Sequence, residues 1–235
     1  MSAFIGEFIG TALLIIMGDG VVANVVLNKT KGNNSGWIVI TFGWAMAVFI
    51  GVYASNKLGG GGHLNPAVTL ALAAFGDFDP QLIPSYIAGQ MAGAIAGAII
   101  VWLAYKQHFD LTDDKDAKLA VFSTGPAIRN PIYNLITEII GTMILVFGAL
   151  SMSPSASSLG TLDALPVGLL VLGIGLSLGG PTGYAINPAR DLGPRIAHFI
   201  LPIKNKRDSD WSYSWVPIIG PVIGGLLAAF LFSLI

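Results

Sequence analysis

The residues that could do chemistry in this sequence are concentrated in two copies of one tripeptide, Asn-Pro-Ala. The copies consist of Asn65, Pro66 and Ala67, and of Asn187, Pro188 and Ala189. Because proline is favoured at the first position of a helix and asparagine caps its N-terminus, each copy predicts a helix start. If the side-chain oxygen accepts a backbone N–H, the amide NH2 is held out as two fixed donors. Aspartate would attract cations there, so the neutral donor indicates an uncharged solute that carries oxygen.

Four ionisable residues lie in apolar sequence and need partners, and for one of them, Asp19, the sequence leaves the position undetermined. Arg190 directly follows the second tripeptide. An arginine deep in lipid costs about 2.5–3.5 kcal/mol on insertion scales, so Arg190 should line a watery path or else pair with Asp191. Glu7 and Glu138 either accept N–H groups from the loops that carry the tripeptides or act as proton carriers. No nucleophile–base pair or metal-binding cluster accompanies them, so neither an enzyme nor a cofactor is predicted.

The elements that position these residues must be membrane helices. The chain has 235 residues, of which 54% are hydrophobic and 11% charged, whereas soluble domains carry about 25% charged residues. A net charge of −1 gives no electrostatic case for binding nucleic acid. Apolar sequence begins at Ala3 without a basic region or cleavage site, which indicates a retained first helix rather than a signal peptide. About 20 apolar residues cross a bilayer, and six segments qualify: about 3–27, 37–56, 83–105, 132–152, 164–182 and 213–235.

The chain carries an internal repeat. Glu7 and Glu138 occupy matching positions 131 residues apart, and so do the glycines at 89 and 220, while the tripeptides are 122 residues apart. We therefore expect one transmembrane channel domain, 1–235, built from repeats of about 1–118 and 119–235. Three spans in each half force the halves into opposite orientations, and such an inverted repeat places a site at the middle of the membrane.

Each tripeptide is followed by an apolar piece too short to cross alone, 67–75 and 189–200. About ten helical residues cover about 15 Å, which is half the hydrocarbon thickness. The sequence therefore predicts two re-entrant half-helices that meet at the centre and complete a seventh, broken span. Their inward N-termini each carry about half a positive charge, which repels cations and protons. The backbone carbonyls of Gly61, Gly62, His63 and Gly183 are predicted to face the path.

Taken together, these motifs resemble the aquaporin family over the whole chain: twin Asn-Pro-Ala motifs, an arginine after the second, and paired glutamates in spans one and four. Within that family the chain resembles the glycerol-facilitator branch, through Asp191, Arg195, Pro217 and Ile218. The resemblance implies an all-α membrane protein with six transmembrane helices plus two re-entrant half-helices. It also implies a homotetramer with one pore per subunit, a multi-pass location in the plasma membrane and no cofactor.

The resemblance also predicts a selectivity filter of four residues, and alignment assigns it to Ile40, Gly175, Tyr184 and Arg190. Glycerol facilitators usually carry tryptophan at the first of these positions. Isoleucine in place of tryptophan would leave the filter without one of its aromatic side chains, so the alignment predicts a wider filter. Such a filter would pass water, glycerol, urea, dihydroxyacetone or protonated lactic acid.

The charge distribution leaves the orientation open. Eleven of the twelve lysines and arginines belong to loops on one side, with Lys57 alone on the other. Counting positive charges would put those loops in the cytoplasm, whereas the resemblance places them outside. The leading functional prediction is a passive channel for small neutral solutes. The alternative is a coupled secondary transporter, which can also use inverted repeats and broken helices.

Overall fold

The computed structural model describes residues 2–152 and 160–235. All regular structure in these ranges is helical. The α-helices are α1 Ala3–Val26, α2 Trp37–Lys57, α3 Pro66–Phe75, α4 Ile83–Ala104, α5 Lys106–Leu111, α6 Lys115–Ala120, α7 Pro131–Ser151, α8 Leu165–Leu178, α9 Pro188–Ile200 and α10 Val216–Phe232. Two 3-10 helices, Pro80–Leu82 and Gly160–Ala164, precede α4 and α8.

Six long helices correspond to the six predicted spans, although the last two are shorter than predicted. By length and composition alone, four helices of the described chain could cross a membrane, namely α1, α2, α4 with its preceding 3-10 turn, and α7. Helices α8 and α10 have 14 and 17 residues. Helix α8 is preceded by a 3-10 helix, and Pro217 lies in the first turn of α10, where a proline suits a helix start.

Helices α3 and α9 are the two predicted half-helices, with 10 and 13 residues. The polar stretch 106–118, which lies between the third and fourth predicted spans, forms the short helix α5 and the first part of α6. Asp114 caps α6 by accepting two backbone N–H groups. Phe109 of α5 is fully buried and its ring packs against that of Phe122 at a centroid distance of 5.6 Å. This segment is therefore folded onto the helices rather than extended.

The two halves of the chain repeat the same close helix contacts. A Cβ atom at Gly89 would lie 3.2 Å from the Cβ of Glu7, and one at Gly220 would lie 2.6 Å from the Cβ of Glu138. These two pairs are related by the 131-residue offset of the repeat. Because small residues allow helix backbones to approach closely in membranes, α4 lies directly against α1, and α10 lies against α7.

Polarity is distributed in the opposite sense to that of a soluble protein. Large apolar side chains face outwards, for example Ile38 at 71% and Ile132 at 70% exposure. Several charged side chains within the helices are instead buried. The fully buried ones include Glu7, Asp19, Asp191 and Arg195. An apolar exterior with a polar interior fits lipid as the surrounding solvent, so the interior charges mark the region where function resides.

Candidate pore

The two half-helices begin in the way that the tripeptides predict. The side-chain oxygen of Asn65 accepts the backbone N–H of Ala67 at 2.9 Å. That of Asn187 accepts the N–H groups of Ala189 at 3.0 Å and Arg190 at 3.2 Å. Pro66 and Pro188 are the first residues of α3 and α9. Both amides are therefore fixed by the helices that they cap.

The two helix tips are also joined to each other. The Nδ2 of Asn65 donates to the carbonyl of Ile186, and the Nδ2 of Asn187 donates to the carbonyl of Leu64, both at 2.8 Å. An amide NH2 has two hydrogens, so each asparagine retains one N–H and not the two that the sequence predicted. A solute between the tips therefore meets one fixed donor from each half of the chain.

The residue before each asparagine is held in a strained conformation. Leu64 has φ 51° and Ile186 has φ 44°, in the left-handed region that β-branched residues adopt rarely. Such a residue costs about 1–3 kcal/mol and persists only where its surroundings hold it. This conformation accompanies the carbonyl contacts of Leu64 and Ile186 with the opposite asparagine.

The buried glutamates hold these strained loops. Glu7 accepts the backbone N–H of His63 at 3.1 Å and that of Leu64 at 2.8 Å. Glu138 accepts the N–H of Ala185 at 3.0 Å and of Ile186 at 2.8 Å. Side chains add further donors, namely Ser55 and Gln90 to Glu7 and Thr182 to Glu138. Carboxylates that are satisfied in this way act as loop anchors, which is the first of the two roles considered for them.

A single cavity of about 330 Å³ runs past both helix tips. Since a water molecule occupies about 30 Å³ of liquid, the cavity can hold a file of several small molecules. Its wall is apolar apart from a few polar groups, and both halves of the chain contribute to it. The lining includes Leu14, Trp44, Val48, Asn65, Leu145, Val171, Tyr184, Asn187 and Arg190. This combination of apolar walls and sparse polar groups suits small amphipathic solutes.

An arginine and two aromatic side chains lie together in the wall of the cavity. The guanidinium carbon of Arg190 lies 3.9 Å from the ring centroid of Trp44, within cation–π range. Tyr184 also lines the cavity there. Its ring meets that of Trp37 edge to face at a centroid distance of 5.7 Å. Arginine donors and two aromatic side chains thus share one part of the cavity wall, and we call this group of Trp44, Tyr184 and Arg190 the constriction.

This arrangement corrects the assignment of Ile40 to the filter. Ile40 belongs to the buried core and is not among the described residues that line the cavity, whereas Trp44, one helical turn later, is. In the structure α2 runs unbroken from Trp37 to Lys57, and its packing brings Trp44 rather than Ile40 against Arg190. The expected widening of the filter, which rested on Ile40, loses its basis.

Gly175 contributes to the constriction by being small rather than by lining it. A Cβ atom at this position would lie 2.8 Å from the Tyr184 ring and 3.0 Å from the methyl group of Thr41. The Gly175 carbonyl accepts the indole N–H of Trp37 at 3.0 Å. Gly175 therefore makes room for the ring of Tyr184, and Tyr184 supplies the surface that faces the cavity.

The predicted alternative for Arg190, a salt bridge with Asp191, does not form. Asp191 instead pairs with Arg195 at 2.8 Å, and both side chains are fully buried. The nearest carboxylate to Arg190 is that of Asp19 in α1, with 3.7 Å between Oδ1 and the terminal nitrogen. The sequence shows Asp19 as a carboxylate within an apolar span, but it does not predict this contact with Arg190.

Asp191 and Arg195 fasten α9 to neighbouring loops. Asp191 accepts the backbone N–H and the hydroxyl of Thr124 at 2.8 and 2.7 Å. Arg195 donates to the carbonyls of Thr124, Ser209 and Asp210. The other two branch markers, Pro217 and Ile218, lie in the first turn of α10. All four markers are outside the described cavity lining, so they bear on the position of the pore helix rather than on the solute.

The predicted pore carbonyls divide into two groups. Gly61, Gly62 and His63 line the cavity, whereas Gly183 is not among its described lining residues. The His63 ring packs against the rings of Phe78 and Tyr86 at centroid distances of 4.8 and 4.7 Å. Its Nδ1 lies 3.1 Å from the hydroxyl of Thr69. The ring of His63 is therefore held in place by the two aromatic rings and by Thr69.

Sequence reasoning missed two residues that shape the constriction. Trp44 lies one helical turn from the assigned position, Ile40, and no sequence signal separates the two. Gly18 gave no signal at all: a Cβ there would collide with the Trp44 indole, which only the packed structure reveals. No group of histidine, cysteine and acidic residues in the described ranges is arranged to hold a metal ion.

Comparisons with known proteins agree with this geometry. The family model described as "Major intrinsic protein" matches residues 1–232. A probable glycerol uptake facilitator protein of Thermotoga maritima is 62% identical over 233 residues, covering 99% of both chains. The glycerol uptake facilitator protein of Bacillus subtilis is 53% identical over 96% of this chain and 81% of its own. The X-ray structure of the aquaglyceroporin from Plasmodium falciparum superimposes with a TM-score of 0.86 at 33% identity, covering 98% of this chain and 94% of that one.

Proposed function

The chain belongs to the major intrinsic protein family, and on that premise we propose that it is a passive transmembrane channel for glycerol. The observation that carries the proposal is the single cavity that runs past both asparagine tips to the corner formed by Trp44, Tyr184 and Arg190. Its relatives named as glycerol uptake facilitators support the choice of solute. The protein is an integral membrane channel and not an enzyme.

The two edges of a glycerol molecule, one of carbon atoms and one of hydroxyl groups, match the two kinds of surface at the constriction. The aromatic faces of Trp44 and Tyr184 offer apolar contact to the carbon backbone. Arg190 offers hydrogen-bond donors to hydroxyl oxygens on the other side. A solute with carbons on one edge and hydroxyls on the other fits this corner better than water does, because water cannot use the apolar surface.

Beyond the constriction, the helix tips control what else can pass. Asn65 and Asn187 each present one N–H to the path, so a hydroxyl oxygen or a water there must act as an acceptor. That orientation interrupts a continuous chain of hydrogen-bonded waters and opposes proton transfer. The positive ends of α3 and α9 add a barrier to cations.

Flux through purified protein in liposomes tests the proposal directly. We expect glycerol entry that does not saturate and does not depend on an ion gradient, measured by light scattering after an osmotic jump. Water, urea and lactic acid at varied pH belong in the same panel. Saturable, gradient-dependent glycerol uptake would instead establish the coupled transporter, and permeation by water alone would refute the choice of solute.

Two matched variants of α2 test the composition of the filter. Trp44→Phe removes part of the ring that contacts Arg190, while Ile40→Val removes one methyl group one helical turn away. We expect Trp44→Phe to lower the ratio of glycerol to ribitol permeability and Ile40→Val to leave it unchanged. The opposite ranking would restore Ile40 to the filter and remove Trp44 from it.

We also propose a homotetramer in the plasma membrane, with the loops that contain 28–36 and 106–131 outside the cell. Large apolar side chains exposed on α2 and α7 offer surfaces for neighbouring subunits as well as for lipid. Native mass spectrometry in mild detergent measures the stoichiometry. Accessibility of a C-terminal tag to protease in intact cells tests the orientation, and cleavage from outside would reverse it.

A further inference from the structure

A buried carboxylate lies directly behind the arginine of the constriction. Asp19 is fully buried in α1, and its Oδ1 is 3.7 Å from a terminal nitrogen of Arg190. Neither carboxylate oxygen has a hydrogen-bond partner among the described residues, and neither does that terminal nitrogen. The contact is therefore one of charge with charge, without the hydrogen bonds that usually compensate a buried carboxylate.

The residue before Asp19 supports the same constriction. Gly18 leaves the space that the indole of Trp44 occupies, since a Cβ at this position would collide with the ring. Trp44 in turn lies under the guanidinium of Arg190. Residues 18 and 19 of α1 therefore form one wall against which both the aromatic and the cationic group of the constriction rest.

The other buried carboxylates that anchor the pore loops are already engaged. Glu7 and Glu138 accept several hydrogen bonds from the re-entrant loops. Asp191 is committed to Arg195 and Thr124. Asp19 differs because it makes no hydrogen bond in the described chain that would give it a structural task. Its contact with Arg190 is therefore the interaction that accounts for a charged residue in the middle of an apolar helix.

The charges along the path explain what such a residue can do. The N-termini of α3 and α9 and the side chain of Arg190 are all positive, so together they repel cations but attract small anions. A negative charge next to Arg190 offsets that attraction at the constriction. At this distance, and away from bulk water, a unit charge changes the local potential strongly.

The geometry points to Asp19 as a specificity-determining residue that keeps the constriction close to neutral, so that the channel passes uncharged hydroxylic solutes without concentrating small monovalent anions. The inference rests on the proposed function, because it concerns the selectivity of the same channel. It assigns Asp19 no role in opening the path to glycerol.

Neutral variants of Asp19 test this inference, with nitrate as the anion. Asp19→Asn and Asp19→Val are compared with Thr11→Val and the unmodified protein in liposomes. Thr11 lies on the same helix about 12 Å away, and it too is buried with an unpartnered oxygen. Nitrate permeability is measured with potassium and valinomycin present to prevent charging, and glycerol permeability is measured in the same vesicles.

We expect both Asp19 variants to raise nitrate permeability about tenfold or more while glycerol permeability stays within a factor of about three. Unchanged nitrate permeability in a variant that still conducts glycerol would overturn the inference, and so would an equal rise in Thr11→Val. Failure of both neutral variants to fold, or to conduct glycerol, would make Asp19 a structural residue and overturn it too. Absence of glycerol flux in the unmodified protein would refute the proposed function instead.

Discussion

Replacing Glu138 with glutamine tests how the second re-entrant loop is held. The carboxylate accepts the hydroxyl of Thr182 at 2.6 Å and the N–H groups of Ala185 at 3.0 Å and Ile186 at 2.8 Å. Glutamine has the same shape but turns one oxygen into a donor. At least one backbone N–H then faces another N–H, in a site with no access to water.

The magnitude follows from these contacts. A hydrogen bond to a charged group contributes about 1.5–3 kcal/mol, and an unsatisfied buried donor costs about 1–3 kcal/mol more. The sum, about 2.5–6 kcal/mol, is as large as or larger than the strain of about 1–3 kcal/mol that the positive φ of Ile186 imposes. The loop should therefore relax, which moves the Ile186 carbonyl away from Asn65. Each 1.4 kcal/mol is about a factor of ten in population, so glycerol flux should fall at least tenfold.

Stopped-flow light scattering of liposomes with equal amounts of reconstituted protein measures this loss. Thr142→Val is the matched control, because Thr142 lies one turn further along α7 and donates a single bond to the backbone of Glu138. We expect that control to conduct glycerol at nearly the normal rate. If Glu138→Gln conducted equally well, the glutamate would not be the anchor of the loop.

Two further predictions concern the constriction and the fastening of α9. In Gly175→Ala the new methyl group lies 2.8 Å from the Tyr184 ring, so the ring should move into the path. Glycerol flux should then fall more than water flux in the same vesicles. Equal losses of the two fluxes would contradict this explanation. Arg195→Met leaves Asp191 buried without its ion pair, which costs about 3–5 kcal/mol and should lower the thermal unfolding midpoint in detergent. Arg207→Met removes a partner from an exposed pair and should change that midpoint little. Similar midpoints for both variants would count against a stabilising role of the buried pair.

The sequence by itself determined the parts of this protein that depend on local chemistry and on repetition. Asparagine is a preferred N-cap and proline a preferred first residue of a helix, so both half-helices could be predicted from their tripeptides. The low content of charge and the length of the apolar segments required a membrane. The matched positions of Glu7 and Glu138 predicted equivalent roles for them in the two halves, and the structure shows each one bonded to the loop of its own half.

Tertiary structure alone decided which side chains share the constriction, because that depends on how helices distant in sequence are rotated against each other. A shift of one helical turn separates Ile40 from Trp44, and no local pattern distinguishes the two. Packing likewise determines the partners of Arg190 and Asp191. Asp19 of α1 lies beside Arg190, while Asp191 forms an ion pair with Arg195. The same packing places each half-helix tip within hydrogen-bond distance of a carbonyl in the other loop. One N–H of each asparagine amide is therefore donated to that carbonyl.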